Sequence, residues 1–261
     1  MIKLIASDLD GTLLKNGAQS LPPEVIPFIE KLATEHGIIF VAASGRQYLN
    51  LKRLFGSASK HMAFICENGS LVFYQDKLIA SNPMEREAAL AISHDILSLP
   101  GCELQISGKY CTYLMPKTDA FLDRMVNHVK NDVQVISSPE EHPEPFYKVS
   151  VFELSGIVEG HGPELIKRHE DKAKCTISGH GWLDFVAPDV NKGLALEELI
   201  KELGIAPEEC AAFGDNYNDL EMLSAVKYGY VMNNAIDEIK SQFNYHCDDV
   251  VAAIRELLAI F

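Results

Sequence analysis

An open, doubly wound parallel α/β core of Rossmann-like kind, interrupted by an inserted α+β unit, is the fold that the sequence predicts. Three observations lead there. Short apolar runs alternate with helical patterns from Ile2 to Cys66, and again from Lys192 onward. Between about Asn82 and Val186 that alternation gives way to paired strands with helices interspersed. Prolines stand at both crossings, in Asn82-Pro83 and Ala187-Pro188. The expected outer domain is therefore residues 1–81 and 187–261, and the expected insertion is residues 82–186.

The first run, Ile2-Lys3-Leu4-Ile5-Ala6, has the composition of a strand buried on both faces of a parallel sheet. It leads into Asp8 and Asp10, followed by Gly11 and Thr12. Residues two apart in extended chain project to the same side, so a strand ending at Asp8 aims both acids into one crevice beyond its carboxyl end. That is where open α/β sheets bind ligands. Two like charges so close raise each other's pKa unless a cation neutralises them. Hard oxygen donors of this kind suit magnesium, which takes one or two carboxylates together with a substrate phosphate. Taken alone, Asp-Gly-Thr reads equally well as a polar turn closing the strand.

Pro22-Pro23 opens a helical pattern through about Glu35, with Val25, Ile26, Ile29 and Leu32 on one stripe and Gly37 as its stop. Ile38–Ala43 is a second buried strand, ending in Ser44-Gly45-Arg46, and Ala63–Cys66 is a third, ending in Glu67-Asn68-Gly69. Ser70–Tyr74 and Leu78–Ala80 form a hairpin. Within the insertion, helices are expected over Met84–Leu97, Asp119–Lys130 and Pro163–Lys172. Strands are expected near Cys102–Ser107, Tyr110–Met115, Val133–Ile136, Tyr147–Leu154, Cys175–Ser178 and Trp182–Val186. This succession suggests an antiparallel sheet covered on one face. The first rhythm then resumes with a helix over Lys192–Leu203, capped by Asn191, and a strand at Cys210–Phe213. A loop from Gly214 to Asp219 precedes alternating elements at Leu220–Ala225, Tyr228–Met232, Ala235–Gln242 and Val250–Ala259.

With 261 residues and 47% hydrophobic content, the chain can bury a full core. Its 23 Lys and Arg against 37 Asp and Glu give a formal charge of −14. Such an acidic surface argues against nucleic acid and anionic membranes as partners, since both bind through basic clusters. Lys3 and Asp8 interrupt the only candidate signal core, and no apolar run approaches membrane-spanning length. A cytoplasmic address is the resulting expectation. Cysteines at 66, 102, 111, 175, 210 and 247 are far apart and read as reduced, mostly buried thiols. The nine histidines show no metal-ligand spacing and are expected to be ordinary surface or core residues. Oligomeric state has no signature here.

Four strands of the outer domain thus end in polar clusters: Asp8 with Asp10, Ser44-Gly45-Arg46, Glu67-Asn68-Gly69, and Asp215 with Asn218 and Asp219. Lys192 at a helix start opposes the macrodipole, which is unfavourable unless something nearby is anionic. Each feature has a plainer account. Lys192 could be a solvated first-turn lysine, Ser44 a helix cap, Asp215 and Asp219 acids that stabilise a helix N-terminus, and Arg46 a surface arginine. Together they would require several coincidences at the same edge of one sheet.

On these residues the sequence resembles the haloacid dehalogenase superfamily, specifically its Cof-type branch of capped phosphatases. Asp8-Leu9-Asp10-Gly11-Thr12 matches the first signature, Ser44-Gly45-Arg46 the second, Asn191-Lys192-Gly193 the third, and Gly214-Asp215 through Asn218-Asp219 the fourth. Met222-Leu223 and Met232-Asn233-Asn234-Ala235 are also similar to this branch, and the insertion lies where the branch carries an α/β cap. The resemblance implies that Asp8 attacks phosphorus and becomes an aspartyl-phosphate, and that Asp10 acts as general acid and then base. It implies that Ser44 and Lys192 hold phosphoryl oxygens, and that Gly45, Arg46 and Asn218 line the substrate side. Magnesium would be bound by Asp8, the Asp10 carbonyl and Asp215, with Asp219 positioning that shell. Asn233 and Asp249 stand where the branch often has glycine, which puts loop shape in question.

The resulting expectation is a magnesium-dependent phosphomonoester hydrolase acting on a small phosphorylated metabolite, with a sugar phosphate as the leading candidate. A phosphohexomutase-like transferase and a phosphoacceptor signalling module are the competing readings. Substrate determinants are expected on the cap, around Ser107–Tyr110, Tyr147-Lys148 or His180-Gly181-Trp182.

Overall fold

Residues 1–259 are described by a computed structural model; residues 260 and 261, at the end of the expected outer domain, lie outside the described residues. The chain divides into two units. Met1–Arg46, Leu51–Ser81 and the chain from Asn191 onward make one, and Gln47–Asn50 with Asn82–Val190 the other.

The first unit begins with β1 (Leu4–Ser7), α1 (Val25–His36), β2 (Ile39–Ala43) and α2 (Tyr48–Phe55), the last of which starts in the other unit. It continues with β3 (Ala63–Cys66), β4 (Leu71–Tyr74) and β5 (Lys77–Ser81). The second unit contains α3 (Arg86–Ser98), β6 (Cys102–Ser107), β7 (Thr112–Leu114), α4 (Asp119–Asp123) and β8 (Val133–Val135). It ends with β9 (Lys148–Glu153), α5 (Gly162–His169), β10 (Lys174–Ile177) and β11 (Trp182–Val186). The first unit then resumes with α6 (Lys192–Glu202), β12 (Cys210–Gly214), α7 (Leu220–Ser224), β13 (Tyr228–Met232), α8 (Asp237–Lys240), β14 (Tyr245–Cys247) and α9 (Val250–Leu258).

Its sheet has the order β14-β13-β12-β1-β2-β3-β4-β5. Pairs from β14 to β3 are parallel, and β4 and β5 add the expected antiparallel hairpin. The central strands are apolar on both faces because helices cover both. Leu4, Ile5, Val41, Ala42, Ile65 and Phe213 are all fully buried. Each large side chain among them contributes about 1.5–3 kcal/mol by leaving water. Gly37 ends α1 in the left-handed conformation, and Ile38 donates its amide to the Leu32 carbonyl, which closes the helix.

Several expectations change. β14 is an unexpected strand: Tyr245 and His246 are exposed on the sheet edge, so no apolar run marks it. The helix expected over Asp119–Lys130 is α-helical only to Asp123 and widens into a π turn over Arg124–His128. The helix expected over Ala235–Gln242 shortens to α8, because Ile236 is extended.

The sheet of the second unit has the order β10-β11-β9-β6-β7-β8, antiparallel except for the parallel β7–β8 pair that α4 connects. On one face Leu104, Ile106, Val149, Val151, Leu183 and Phe185 pack against Ile92 and Ile96 of α3 and Leu165 of α5. Coverage is not confined to that face. Phe121 and Met125 cluster with Leu114 and Phe152, whose side chains alternate to the other side of the sheet. Ser107 and Lys148 lie opposite each other across β6 and β9, and both are buried. Lys148 Nζ is 3.7 Å from Asp184 Oδ2, Tyr147 is buried, and Tyr110 remains exposed. Trp182 packs on Phe121 and Phe152. All six cysteines are free thiols, three of them buried. No helix among the described residues is long and apolar enough to cross a membrane.

Candidate active site

Strands β12, β1, β2 and β3 lie side by side, so the segments that follow them share one edge of the sheet. Those segments begin at Asp215, Asp8, Ser44 and Glu67.

Lys192 is the first residue of α6, held there by Asn191, whose side-chain oxygen accepts the Leu194 amide at 2.8 Å. It is not a solvated first-turn lysine, for only 1% of it is exposed. Its Nζ donates to Asp8 Oδ1 at 2.6 Å and to Asp219 Oδ1 at 2.7 Å. The other Asp219 oxygen accepts the amides of Asp215 and Asn216, at 3.0 and 3.1 Å. Asp219 therefore orders the loop after β12 and also neutralises part of the buried ammonium. The helix is set against the β3 loop by Gly69, whose φ is +114°. A β-carbon there would stand 2.4 Å from the Asn191 carbonyl oxygen.

Asp215 is held from two sides. Thr12 donates its hydroxyl to Oδ1 at 3.1 Å, and Asn234 donates its side-chain amide to Oδ2 at 3.2 Å. The same Asn234 amide reaches the Gly11 carbonyl at 3.0 Å. Gly11 has φ of +99°, and a β-carbon on it would lie 2.1 Å from Asp215 Oδ2. Only glycine lets the first loop approach this closely.

Burial pushes the Asp8 carboxyl up to about 8, reinforced by Asp219 and opposed by Lys192. Burial would push Lys192 down, but Asp219 and Asp8 outweigh it and hold the ammonium above its usual value. Asp215 is raised by burial and by Asp219, against the Thr12 hydrogen bond. Three carboxylates thus face one ammonium. Their donor oxygens lie within 4.8 Å of one another. Hard oxygen ligands carrying uncompensated negative charge fit a divalent cation such as magnesium.

Asp10, Arg46 and Ser44 form a second group. The Arg46 guanidinium donates to both Asp10 oxygens, at 2.6 and 3.1 Å, and the Arg46 amide donates to Ser44 Oγ at 3.2 Å. Ser44 precedes α2 by four residues, so its hydroxyl closes a local turn rather than capping that helix. Its carbonyl accepts the Asn68 amide at 3.1 Å. Gly45 backs onto Asn68, where a β-carbon would come within 2.9 Å of Oδ1. Asn68 itself is buried in the left-handed region, with φ of 58°. Asn218 sits half-buried on the Tyr217–Asp219 turn. Among the described residues, the hydrogen bonds joining Lys192, Asp8, Asp219 and Asp215 do not pass through it.

Sequence reasoning did not assign roles to Thr12 or Asn234, which orient Asp215. Two sequence signals bear on Asn234: it lies in the Met232-Asn233-Asn234-Ala235 stretch that resembles the Cof-type branch, and it stands just after β13, another strand ending at the same edge. Of the two departures from the Cof-type pattern, Asp249 has a side-chain role, whereas Asn233, among the described residues, bonds only through its backbone, as glycine would. The Asn233 amide donates to the Cys247 carbonyl at 2.9 Å, and Asp249 caps α9 by accepting the Ala252 amide at 2.9 Å.

The family model for haloacid dehalogenase-like hydrolases matches residues 5–252. The chain is 27% identical over 248 residues to the 5-amino-6-(5-phospho-D-ribitylamino)uracil phosphatase YbjI of Escherichia coli strain K12, covering 94% of this chain and 90% of that protein. It is 26% identical over 253 residues to the pyridoxal phosphate phosphatase YbhA of the same organism, covering 93% and 92%. Among solved structures, SMU.1108c from Streptococcus mutans UA159 superposes with a TM-score of 0.84 at 28% identity, covering 99% of this chain and 100% of that one.

Proposed function

Because the chain belongs to the haloacid dehalogenase-like hydrolases and is a phosphatase of their Cof-type branch, we propose that it hydrolyses phosphomonoesters through an aspartyl-phosphate on Asp8, with magnesium as its cation. The substrate class is a small phosphorylated metabolite, with a sugar phosphate as the leading candidate. The observation that carries this reading is the buried Lys192–Asp8 pair at 2.6 Å, beside Asp215 and Asp219.

In the first step an Asp8 carboxylate oxygen attacks phosphorus, the bond to the leaving oxygen breaks, and Asp10 protonates that oxygen. In the second, Asp10 takes a proton from water, which attacks the phosphoryl group and restores Asp8. Lys192 and the Ser44 hydroxyl donate hydrogen bonds to the phosphoryl oxygens as charge shifts onto them. Arg46 holds Asp10 in place. Asp8, the Asp10 carbonyl and Asp215 would hold magnesium, with Asp219 ordering that shell. When bound, the ion would neutralise charge on the phosphoryl oxygens.

The relatives' named substrates are both small phosphorylated molecules, which supports the substrate class. The test is phosphate release from an aryl phosphate and from a panel of phosphorylated metabolites, with and without magnesium. Asp8→Asn should abolish release while leaving the fold intact, and undiminished release would reject the reading. With hexose phosphates, isomerised product in place of free phosphate would indicate a mutase.

A further inference from the structure

The second unit holds a group of side chains with no part in the site above. Cys102 opens β6 and Glu153 ends β9, and the two are direct partners across that antiparallel pair. His161, which precedes α5, turns its ring to the same place. Cys102 Sγ lies 3.5 Å from His161 Nδ1, and Nδ1 lies 3.0 Å from Glu153 Oε1. All three donor atoms are within 4.8 Å of one another. The thiol and carboxylate are buried, and the imidazole is partly open to solvent.

The three groups converge as the ligands of one cation would. With the imidazole proton on Nδ1 the ring donates to Glu153, and with the proton on Nε2 the Nδ1 lone pair, the sulfur and the carboxylate all face the same space. A cation among the three donors satisfies all of them. With bonds of roughly 2.3 Å to sulfur and 2.0–2.2 Å to nitrogen and oxygen, adjacent ligands of a tetrahedral site stand roughly 3.3–3.8 Å apart. The Sγ–Nδ1 separation of 3.5 Å falls within that range, and the Nδ1–Oε1 separation of 3.0 Å lies just below it.

We propose that Cys102, Glu153 and His161 bind a thiophilic divalent cation, zinc in the first instance, in a site separate from the phosphatase centre. A sulfur, nitrogen and oxygen donor set suits zinc and not magnesium. The surroundings hold the ligands in orientation, as supporting hydrogen bonds do at metal sites. The His161 amide donates to Glu153 Oε2 at 2.9 Å, and the Ser155 hydroxyl donates to Oε1 at 3.2 Å. Gly160 lets the loop wrap this carboxylate, since a β-carbon there would come within 2.2 Å of Oε2. On binding, the thiol proton leaves to solvent and the remaining imidazole proton resides on Nε2. The partly open imidazole side provides the entry path, and water completes the shell. The ion ties the 154–161 loop to the end of the sheet.

The test uses the full-length protein in saturating magnesium, titrated with cobalt(II) as a spectroscopic stand-in for zinc. One equivalent of cobalt should produce a thiolate-to-cobalt charge-transfer band in the near ultraviolet, which zinc then abolishes. His161→Ala should weaken cobalt binding tenfold or more, and Cys102→Ser should remove the band. Asp8→Asn should retain it, which separates this site from the oxygen-only phosphatase centre. Zinc should also raise the melting temperature of the wild type and not of His161→Ala, a readout that stands even if Cys102→Ser folds poorly. No charge-transfer band, or a band that His161→Ala leaves unchanged, would overturn the proposal.

Discussion

Lys192 Nζ stands 2.6 Å from Asp8 Oδ1 although 184 residues separate the two in the chain. The insertion lies between them in sequence, so this contact requires both parts of the outer unit to be folded together. Removing one partner of a buried ion pair leaves the other charge uncompensated, which costs about 3–5 kcal/mol. Lys192→Ala should therefore lower stability in urea by about that amount when magnesium is absent. Losing a preorganised donor should also reduce kcat by roughly 10²–10³-fold.

Gly11 and Asp215 are in closer contact than any other side chain would permit. Gly11→Ala should displace the Asp215 carboxylate and weaken its hold on the cation. The magnesium concentration for half-maximal activity should rise about 10- to 100-fold. An unchanged magnesium dependence would mean that Asp215 is not a ligand.

Asn234 touches Asp215 and the Gly11 carbonyl with one amide group. Asn234→Ala should act through Asp215, so excess magnesium should restore most of kcat. A loss of kcat that magnesium does not restore would place Asn234 in the chemical step instead.

His142 supplies a pH prediction independent of the active site. It is buried in the second unit, with Tyr113 and Phe146 against its ring and Nδ1 at 2.7 Å from the Glu144 carbonyl. Burial holds its pKa below the ordinary 6.5, with Arg86 acting in the same direction and the Glu144 contacts opposing them. A depressed folded pKa means that the unfolded chain binds the proton first. The stability this group contributes is present above 6.5 and is lost as pH falls through the folded value. Asp95 titrates in a separate window below 3.8, because its contacts with Arg168 and His169 outweigh burial and lower its pKa. His142→Asn keeps a donor toward the Glu144 carbonyl and does not titrate. Denaturation from about pH 7 to about pH 5 should show a smaller loss of stability for the variant than for the wild type.

Much of this architecture was legible because buried strands leave short, mostly apolar runs. Ala63–Cys66, Trp182–Val186 and Tyr228–Met232 form strands over the expected residues. Strand β14 was not legible, since an edge strand of three residues with two exposed side chains carries no such run. Periodicity across Asp119–Lys130 reports an apolar stripe, and Phe121 and Met125 do pack together. It does not report the widening of the helix after Asp123.

The candidate site was legible where acids follow apolar strands, as at Asp8 and Asp215. Lys192 was suspicious because a cation at a helix start needs an anion nearby, and Asp8 and Asp219 supply two. Thr12 and Asn234 escaped because a loop hydroxyl or amide looks the same in sequence whether or not it holds a carboxylate. Cys102, Glu153 and His161 escaped for another reason. Strand register brings the first two together across 51 positions, and no local spacing records it.

The central claim is that Asp8 carries the phosphoryl group during turnover. Acyl phosphates are reduced by borohydride, so the protein should be quenched during turnover of an active substrate with magnesium, treated with borohydride, digested and sequenced by mass spectrometry. The account predicts homoserine in place of aspartate at position 8, dependent on substrate and absent without it. Reduction at another carboxylate, or full hydrolysis by Asp8→Asn, would contradict it.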